Sequence, residues 1–204
     1  MKTSSKRASS ANARWLSGLA TVVAVGVMSL SIQAEQKSDK ANLRVAEAFI
    51  DAFYSFDSAK LQAALSSAKD SVPFISYYQV WAKGGNYKIV NRMPCRVKEP
   101  MLVYCSITVK DDLMGALGVD FNVTDTFHIS FSDGKIISVR TSSNDLPVFS
   151  DALEWVKKNL PDLIEKPCRG FFDGGPTPGD CVRAMVEGYG RFSVSADFPE
   201  KYKK

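Results

Sequence analysis

The stretch Phe121-Asn-Val-Thr-Asp-Thr-Phe-His-Ile-Ser-Phe-Ser-Asp-Gly-Lys-Ile136 decides the fold. Side chains alternate along a strand. Phe121, Val123, Asp125, Phe127, Ile129 and Phe131 therefore point one way, and Asn122, Thr124, Thr126, His128 and Ser130 the other. One apolar and one polar face describe a half-buried antiparallel strand. Ser132-Asp133-Gly134-Lys135 supplies a hairpin turn with Asp-Gly at its centre, and residues 136–142 return from it. Just upstream, residues 87–97 and 102–110 read as two more strands around a turn containing Glu99-Pro100. If Val97 pairs with Val103, then Cys95 faces Cys105, Met93 faces Ile107 and Asn91 faces Val109, all on one side of the sheet. Pro94 fits only an edge strand or a bulge.

Around this β core the period changes from two to three or four. Asp39 can cap a helix over residues 40–55, with Ala41, Val45, Phe49, Ala52, Phe53 and Phe56 on one stripe. A short helix follows from Asp57 or Ser58, carrying Leu61, Ala64 and Leu65. Ser71 then caps a third, with Pro73 in its first turn and Phe74, Tyr77, Tyr78 and Trp81 along it. After the strands, a helix over 149–160 carries Ala152, Leu153 and Val156. A Gly/Pro-rich stretch leads to a last helix over 181–189, capped by Asp180, with Val182, Met185, Val186 and Tyr189 facing inward. Residues 193–204 read as a polar tail. Helices first and strands afterwards give α+β, with helices packed on an antiparallel sheet. Residues 35–192 form one domain, including a helical C-terminal extension over 147–192.

The chain has 204 residues, 45% hydrophobic and 24% charged, which suits a globular core and excludes a disordered chain. Its net charge of +4 is misleading. Residues 1–34 hold Lys2, Lys6, Arg7 and Arg14 and no acid; the remainder carries 22 basic and 22 acidic residues. A neutral body argues against a nucleic-acid partner. Those four basic residues precede an uncharged run over 15–34 that ends in small Ala34, the pattern of a signal peptide over 1–34. Export to periplasm or medium is expected, with membrane contact only through this segment if it stays uncleaved. In that compartment Cys95, Cys105, Cys168 and Cys181 read as two disulfides. The first joins facing strands, and the second staples the turn-rich segment between Cys168 and Cys181. A metal site is the rival reading, but the cysteines lack close doublets and His128 is the only histidine.

The strand-turn-strand Thr126-Phe-His-Ile-Ser-Phe-Ser-Asp-Gly-Lys-Ile136 resembles the nuclear-transport-factor-2-like superfamily, in particular its SnoaL-like branch. So do Phe74 to Trp81, Asp111-Asp112-Leu113-Met114 with Ala116-Leu117-Gly118, and Gly174-Gly-Pro-Thr-Pro178 with Cys181. The resemblance covers residues 40–192. It implies a cone-shaped, cystatin-like roll: helices lie across a strongly curved sheet, enclose a pocket, and often dimerise through the sheet's outer face. It does not imply one activity, since isomerases, dehydratases, cyclases and binding domains share the scaffold.

SnoaL-like enzymes use an acid just past the Asp-Gly-Lys/Arg-Ile turn. Here residues 137–143 contain none, and Thr141 stands about where it would be. Asp125 is the better candidate because it interrupts an apolar face, where desolvation raises a carboxyl pKa toward a useful range. Asn91 and Thr141 are expected on the concave side of neighbouring strands, and Tyr77 or Tyr78 to enter from the third helix. Phe53, Trp81, Phe127 and Val139 would line the pocket. His128, beside Thr126 and Ser130, reads as a structural residue of a solvated surface. Asp111-Asp112 reads as a loop or helix cap. Gly174 to Gly179 is no phosphate cradle, because it follows no strand and its prolines remove amide donors. Three functions follow. The first is an exported domain holding a small apolar molecule, or a partner, without catalysis. The second is a cofactor-free isomerase or dehydratase with Asp125 as base. The third is a homodimeric assembly module. No cofactor is called for.

Overall fold

The computed structural model describes residues 20–170 and 179–203, with side chains from Gln36 onward. Residues 1–19 of the expected signal peptide over 1–34, and the Gly/Pro-rich 171–178, lie outside the described residues. Chain contacts define two compact units, Met1–Lys37 and Ser38–Lys204; apart from residues 20–37 of the first helix, everything that follows belongs to the second. Among the described residues no helix is long and apolar enough to cross a membrane.

The first helix, α1, spans Ala20–Tyr54, so Asp39 sits inside it and does not cap it. The cause is local. From Gln33 to Ala41 there is no Gly or Pro, and Gln, Ala, Glu and Lys extend a helix readily. Its buried stripe is Asn42, Ala46, Phe49, Ile50 and Phe53, rotated from the expected one. Val45 is 36% exposed. After a short turn, α2 (Ser58–Ala64) starts on Asp57, whose carboxylate accepts from the amides of Ala59 and Lys60. Helix α3 (Val72–Gly84) begins beyond Ser71, with Pro73 in its first turn as expected. Ser71 does not cap it through its side chain. Its hydroxyl instead accepts from the Val139 amide at 2.9 Å, tying the helix to the sheet.

Five antiparallel strands make the sheet: β1 (Lys88–Arg92), β2 (Arg96–Glu99), β3 (Leu102–Lys110), β4 (Val123–Ser132) and β5 (Lys135–Ser143). The order is β1-β3-β4-β5, with β2 also on β3. Burial alternates without a fault along β3 and β4, as the alternating sequence demands. The β4–β5 hairpin turns on Asp133 and Gly134, both at positive φ (50° and 71°), the conformation that selects Asp-Gly. Val97 pairs with Val103 as read, and Cys95 is bonded to Cys105 with Cα atoms 4.3 Å apart.

Beyond the cysteines the expected register fails. Arg92, not Met93, faces Ile107, and Asn91 faces Thr108, not Val109. Pro94 has no amide to continue the ladder, so β1 and β2 separate around Met93-Pro94, and a bulge follows between Ile89 and Asn91. A one-residue slip exchanges the faces. Arg92 therefore points under α1, where its guanidinium donates to Asp51 (2.5 Å) and Glu47 (2.6 Å). Glu47 also accepts from the Cys95 amide at 2.6 Å.

The C-terminal part is helical: α5 (Pro147–Asn159), α6 (Pro161–Glu165) and α7 (Gly179–Ser193). Helix α4 (Asp112–Ala116) sits between β3 and β4, and α7 packs on α3, α4 and α5. Cys168 is bonded to Cys181, Cα atoms 4.6 Å apart, stapling α6 to the start of α7. Residues 193–203 of the expected polar tail over 193–204 are not frayed. Phe198 is 4% exposed against Phe192 (centroids 5.3 Å), and the Trp155 indole donates to Asp197 at 2.8 Å. Phe198, with the partly buried Tyr202 against it (centroids 6.4 Å), docks the segment.

Candidate functional site

Asp125 is the third residue of β4, paired with Ile107 on one side and Ser143 on the other. The strand's alternation sends it to the helix-covered face between Val123 and Phe127, and it is 2% exposed. Burial pushes its carboxyl up to about 7, helped by the negative charges of Asp145 and Asp111; a hydrogen bond from the Tyr78 hydroxyl pulls the other way. Its Oδ2 is buried and has no hydrogen-bond partner.

Three tyrosines from three elements converge here. Tyr78 comes from α3, Tyr54 from the last turn of α1, and Tyr87 from the chain entering β1. Phe53 and Phe127 complete an aromatic wall: Phe53 lies 4.9 Å from Phe127 and 5.4 Å from Tyr78, and Tyr78 6.2 Å from Phe127. The Gln79 amide holds α1 to α3, donating to the carbonyls of Phe53 (2.8 Å) and Ala52 (3.2 Å) where α1 ends. Burial raises the pKa of all three hydroxyls, and the charge of Asp125 adds to each. Arg92 opposes the rise at Tyr54, and a hydrogen bond from Trp81 opposes it at Tyr87. The Tyr54 Oη, like Asp125 Oδ2, is buried without a partner. Asp111 caps α4, accepting from the Met114 amide at 2.9 Å. Burial lifts it to about 6, against the bonds from the Met114 and Leu113 amides.

Asp125, Tyr78, Phe53 and Phe127 are thus brought together as expected, and Trp81 joins through Tyr87. The others are not. Asn91 is exposed on the outer face, a consequence of the register slip. Tyr77 stacks on Trp81 at 6.5 Å and does not figure among the groups acting on Asp125. Val139 and Thr141 line a different hollow of about 540 Å3, with Asp70, Ser71, Phe74 and Arg140. A larger, apolar hollow of about 650 Å3 runs beside α1, floored by Ala41, Val45, Ala48, Ala52, Ala63 and Ala64. Asp125 lines neither of these, nor the third of about 380 Å3 beside the Cys168 disulfide. Sequence reasoning missed Tyr54 and Tyr87. Tyr54 falls one position off the helical stripe, and Tyr87 precedes its strand. The signal for Tyr54 was its place beside Phe53 at a helix end, where the stripe widens.

His128 lies on the outer face, stacked on Tyr104 (4.2 Å) with its Nε2 2.9 Å from the Ser142 hydroxyl. Among the described residues no cluster of three metal-ligating side chains occurs. No protein-family model matches the chain, and neither does any curated protein or solved structure.

Proposed function

We propose that this is an exported, disulfide-stapled domain of the SnoaL-like, cone-shaped kind that binds a small, largely apolar molecule through one polar group. The observation that carries the reading is the pair of orphaned polar atoms, Asp125 Oδ2 and Tyr54 Oη, within one aromatic wall. Each unpartnered buried polar atom costs about 1–3 kcal/mol. A carbonyl or hydroxyl of a ligand would satisfy both, provided α1 and α3 part to admit it, because Phe53, Tyr78 and Phe127 pack on one another and none of the three hollows reaches Asp125. Helices on an antiparallel sheet and two closed disulfides agree with the scaffold and with an oxidising compartment. Native mass spectrometry of the purified protein tests it. A retained molecule of a few hundred daltons is expected, lost in Tyr54→Phe and Asp125→Asn. Clean apo spectra, or retention in both variants, would overturn the reading.

A second reading, a cofactor-free isomerase or dehydratase, is favoured by one observation. A carboxyl near pKa 7 beside a tyrosine donor is poised for proton transfer. Asp125 would take the proton, and the Tyr78 hydroxyl, hydrogen-bonded to the carboxylate until then, would turn its one donor to the developing enolate. Deuterium exchange at the α-carbon of accepted ketones, lost in Asp125→Asn and slowed in Tyr78→Phe, is the expected result. No exchange above solvent in the wild type sinks it.

A further inference from the structure

The outward face of the sheet carries a second pattern that the buried site does not use. Register places Arg96 opposite Tyr104, Tyr104 opposite His128, and His128 opposite Arg140. Residues directly opposed share a face, so Arg-Tyr-His-Arg forms one row across four strands. At 4.7–4.9 Å per strand the two arginines stand about 14 Å apart. Lys88 and Lys110 oppose each other at the far end of the same face, and Lys135 lies beside the hairpin turn. All five basic side chains are exposed, and among the described residues none has a carboxylate partner. The one acid at a paired outward position is Glu99.

Between the charges the face is paved with hydroxyls. Ser106 pairs with Thr126 at 3.0 Å, Thr108 with Thr124 at 2.9 Å, and Ser142 with His128. We propose that this face binds an acidic polysaccharide, its carboxylates on Arg96 and Arg140 and its sugar hydroxyls on the rows alongside. Guanidinium groups match carboxylates in a planar, two-pronged fashion. Hydroxyls that both donate and accept suit a polyol. Two other partners fit less well. A protein interface wants an apolar centre, and Leu102 is the one aliphatic residue at the paired outward positions of β2–β5. Five unpaired cations also oppose docking of a second copy face to face. Single-stranded nucleic acid needs open aromatic faces for its bases, whereas Tyr104 and His128 each cover one face of the other at 4.2 Å.

The probe is a hexamer of galacturonic acid, titrated into the purified protein by calorimetry. A neutral glucose hexamer and a six-nucleotide DNA strand run beside it, and light scattering reports the oligomeric state. The expected result is binding of the acidic hexamer that weakens at least tenfold in Arg96→Gln/Arg140→Gln. Thermal stability should be unchanged, since both side chains are exposed. Arg191→Gln on α7 should bind as wild type, and raising salt from 50 to 300 mM should weaken binding. Equal binding of the neutral hexamer, an unaffected double variant, or a preference for DNA would overturn the proposal. So would a dimer that the double variant strengthens.

Discussion

Replacing Asp125 by Asn should stabilise the protein in a strongly pH-dependent way. The native carboxyl holds its proton up to about pH 7, whereas the ordinary value is 3.8. Below 3.8 both folded and unfolded chains are protonated, and the group makes no pH-dependent difference. As pH rises above that, the unfolded chain gives up its proton and gains solvation, while the folded chain keeps the proton. Stability is therefore lost steadily as pH rises, until the native group ionises too. Each pH unit is worth about 1.4 kcal/mol, so the loss levels off above pH 7 at about 4 kcal/mol. Asn cannot ionise and escapes it. Urea unfolding of both chains, followed by circular dichroism from pH 4 to 9 with disulfides intact, reads the difference directly. Other groups, including Asp111, occur in both chains and largely cancel. The gap in favour of the variant should widen by about 4 kcal/mol between pH 4 and 8 and then stay flat. A gap independent of pH would mean an ordinary solvated carboxyl. A gap that closes with rising pH would mean a stabilised carboxylate, and either result refutes the buried, protonated acid.

Two further substitutions probe the packing that positions the site. A Cβ on Gly188 would lie 2.6 Å from Val156 Cγ2, so Gly188→Ala should cost about 1–3 kcal/mol by forcing α5 from α7, seen as a lowered Tm. Phe198→Ala should cost about 3–5 kcal/mol if the C-terminal segment is docked, and limited proteolysis should then release the last residues. A Tm within a degree of wild type would return that segment to a free tail. Removing the second disulfide as Cys168→Ser/Cys181→Ser should cost about 3 kcal/mol by restoring freedom to the unfolded chain, measured by urea midpoint against the oxidised wild type.

The β core was readable because each strand face obeys one rule over nine or ten residues. Val103 to Val109 and Val123 to Phe131 bury every second side chain, and a single pairing at Val97 aligned the cysteines. Reading failed where a local feature overrode the pattern. Pro94 carried a penalty in the sequence, but its consequence, a slip that turned Asn91 outward and Arg92 inward, depends on where the chain resumes pairing. Val45 looked like core because it falls at helical spacing. The rotation of α1 was set instead by the larger Phe49, Ile50 and Phe53. Phe198 was overlooked because the short polar segment around it offers only one further aromatic, Tyr202, too little to make a pattern.

The site was half legible for a related reason. Asp125 stood out because it broke an apolar face, and a strand's own alternation is enough to predict its burial. Its partners come from elements far apart in the chain: Tyr54 closes α1, Tyr78 sits midway along α3, and Tyr87 leads into β1. No spacing rule links them, so only the packing of α1 and α3 on the sheet brings their hydroxyls to one carboxyl. Charge shows the same limit more sharply. Residues 35–204 sum to zero, which argued against a nucleic-acid partner. Yet register collects Lys88, Arg96, Lys110, Lys135 and Arg140 on one sheet face, where Glu99 is the one acid at a paired position and Asp70 and Asp133 lie at the margin beside Arg140 and Lys135. A sum over the chain cannot see segregation in space, and it is segregation that an anion meets. If the acidic hexamer binds there in proportion to those arginines, the neutral total will have hidden the surface that matters most outside the core.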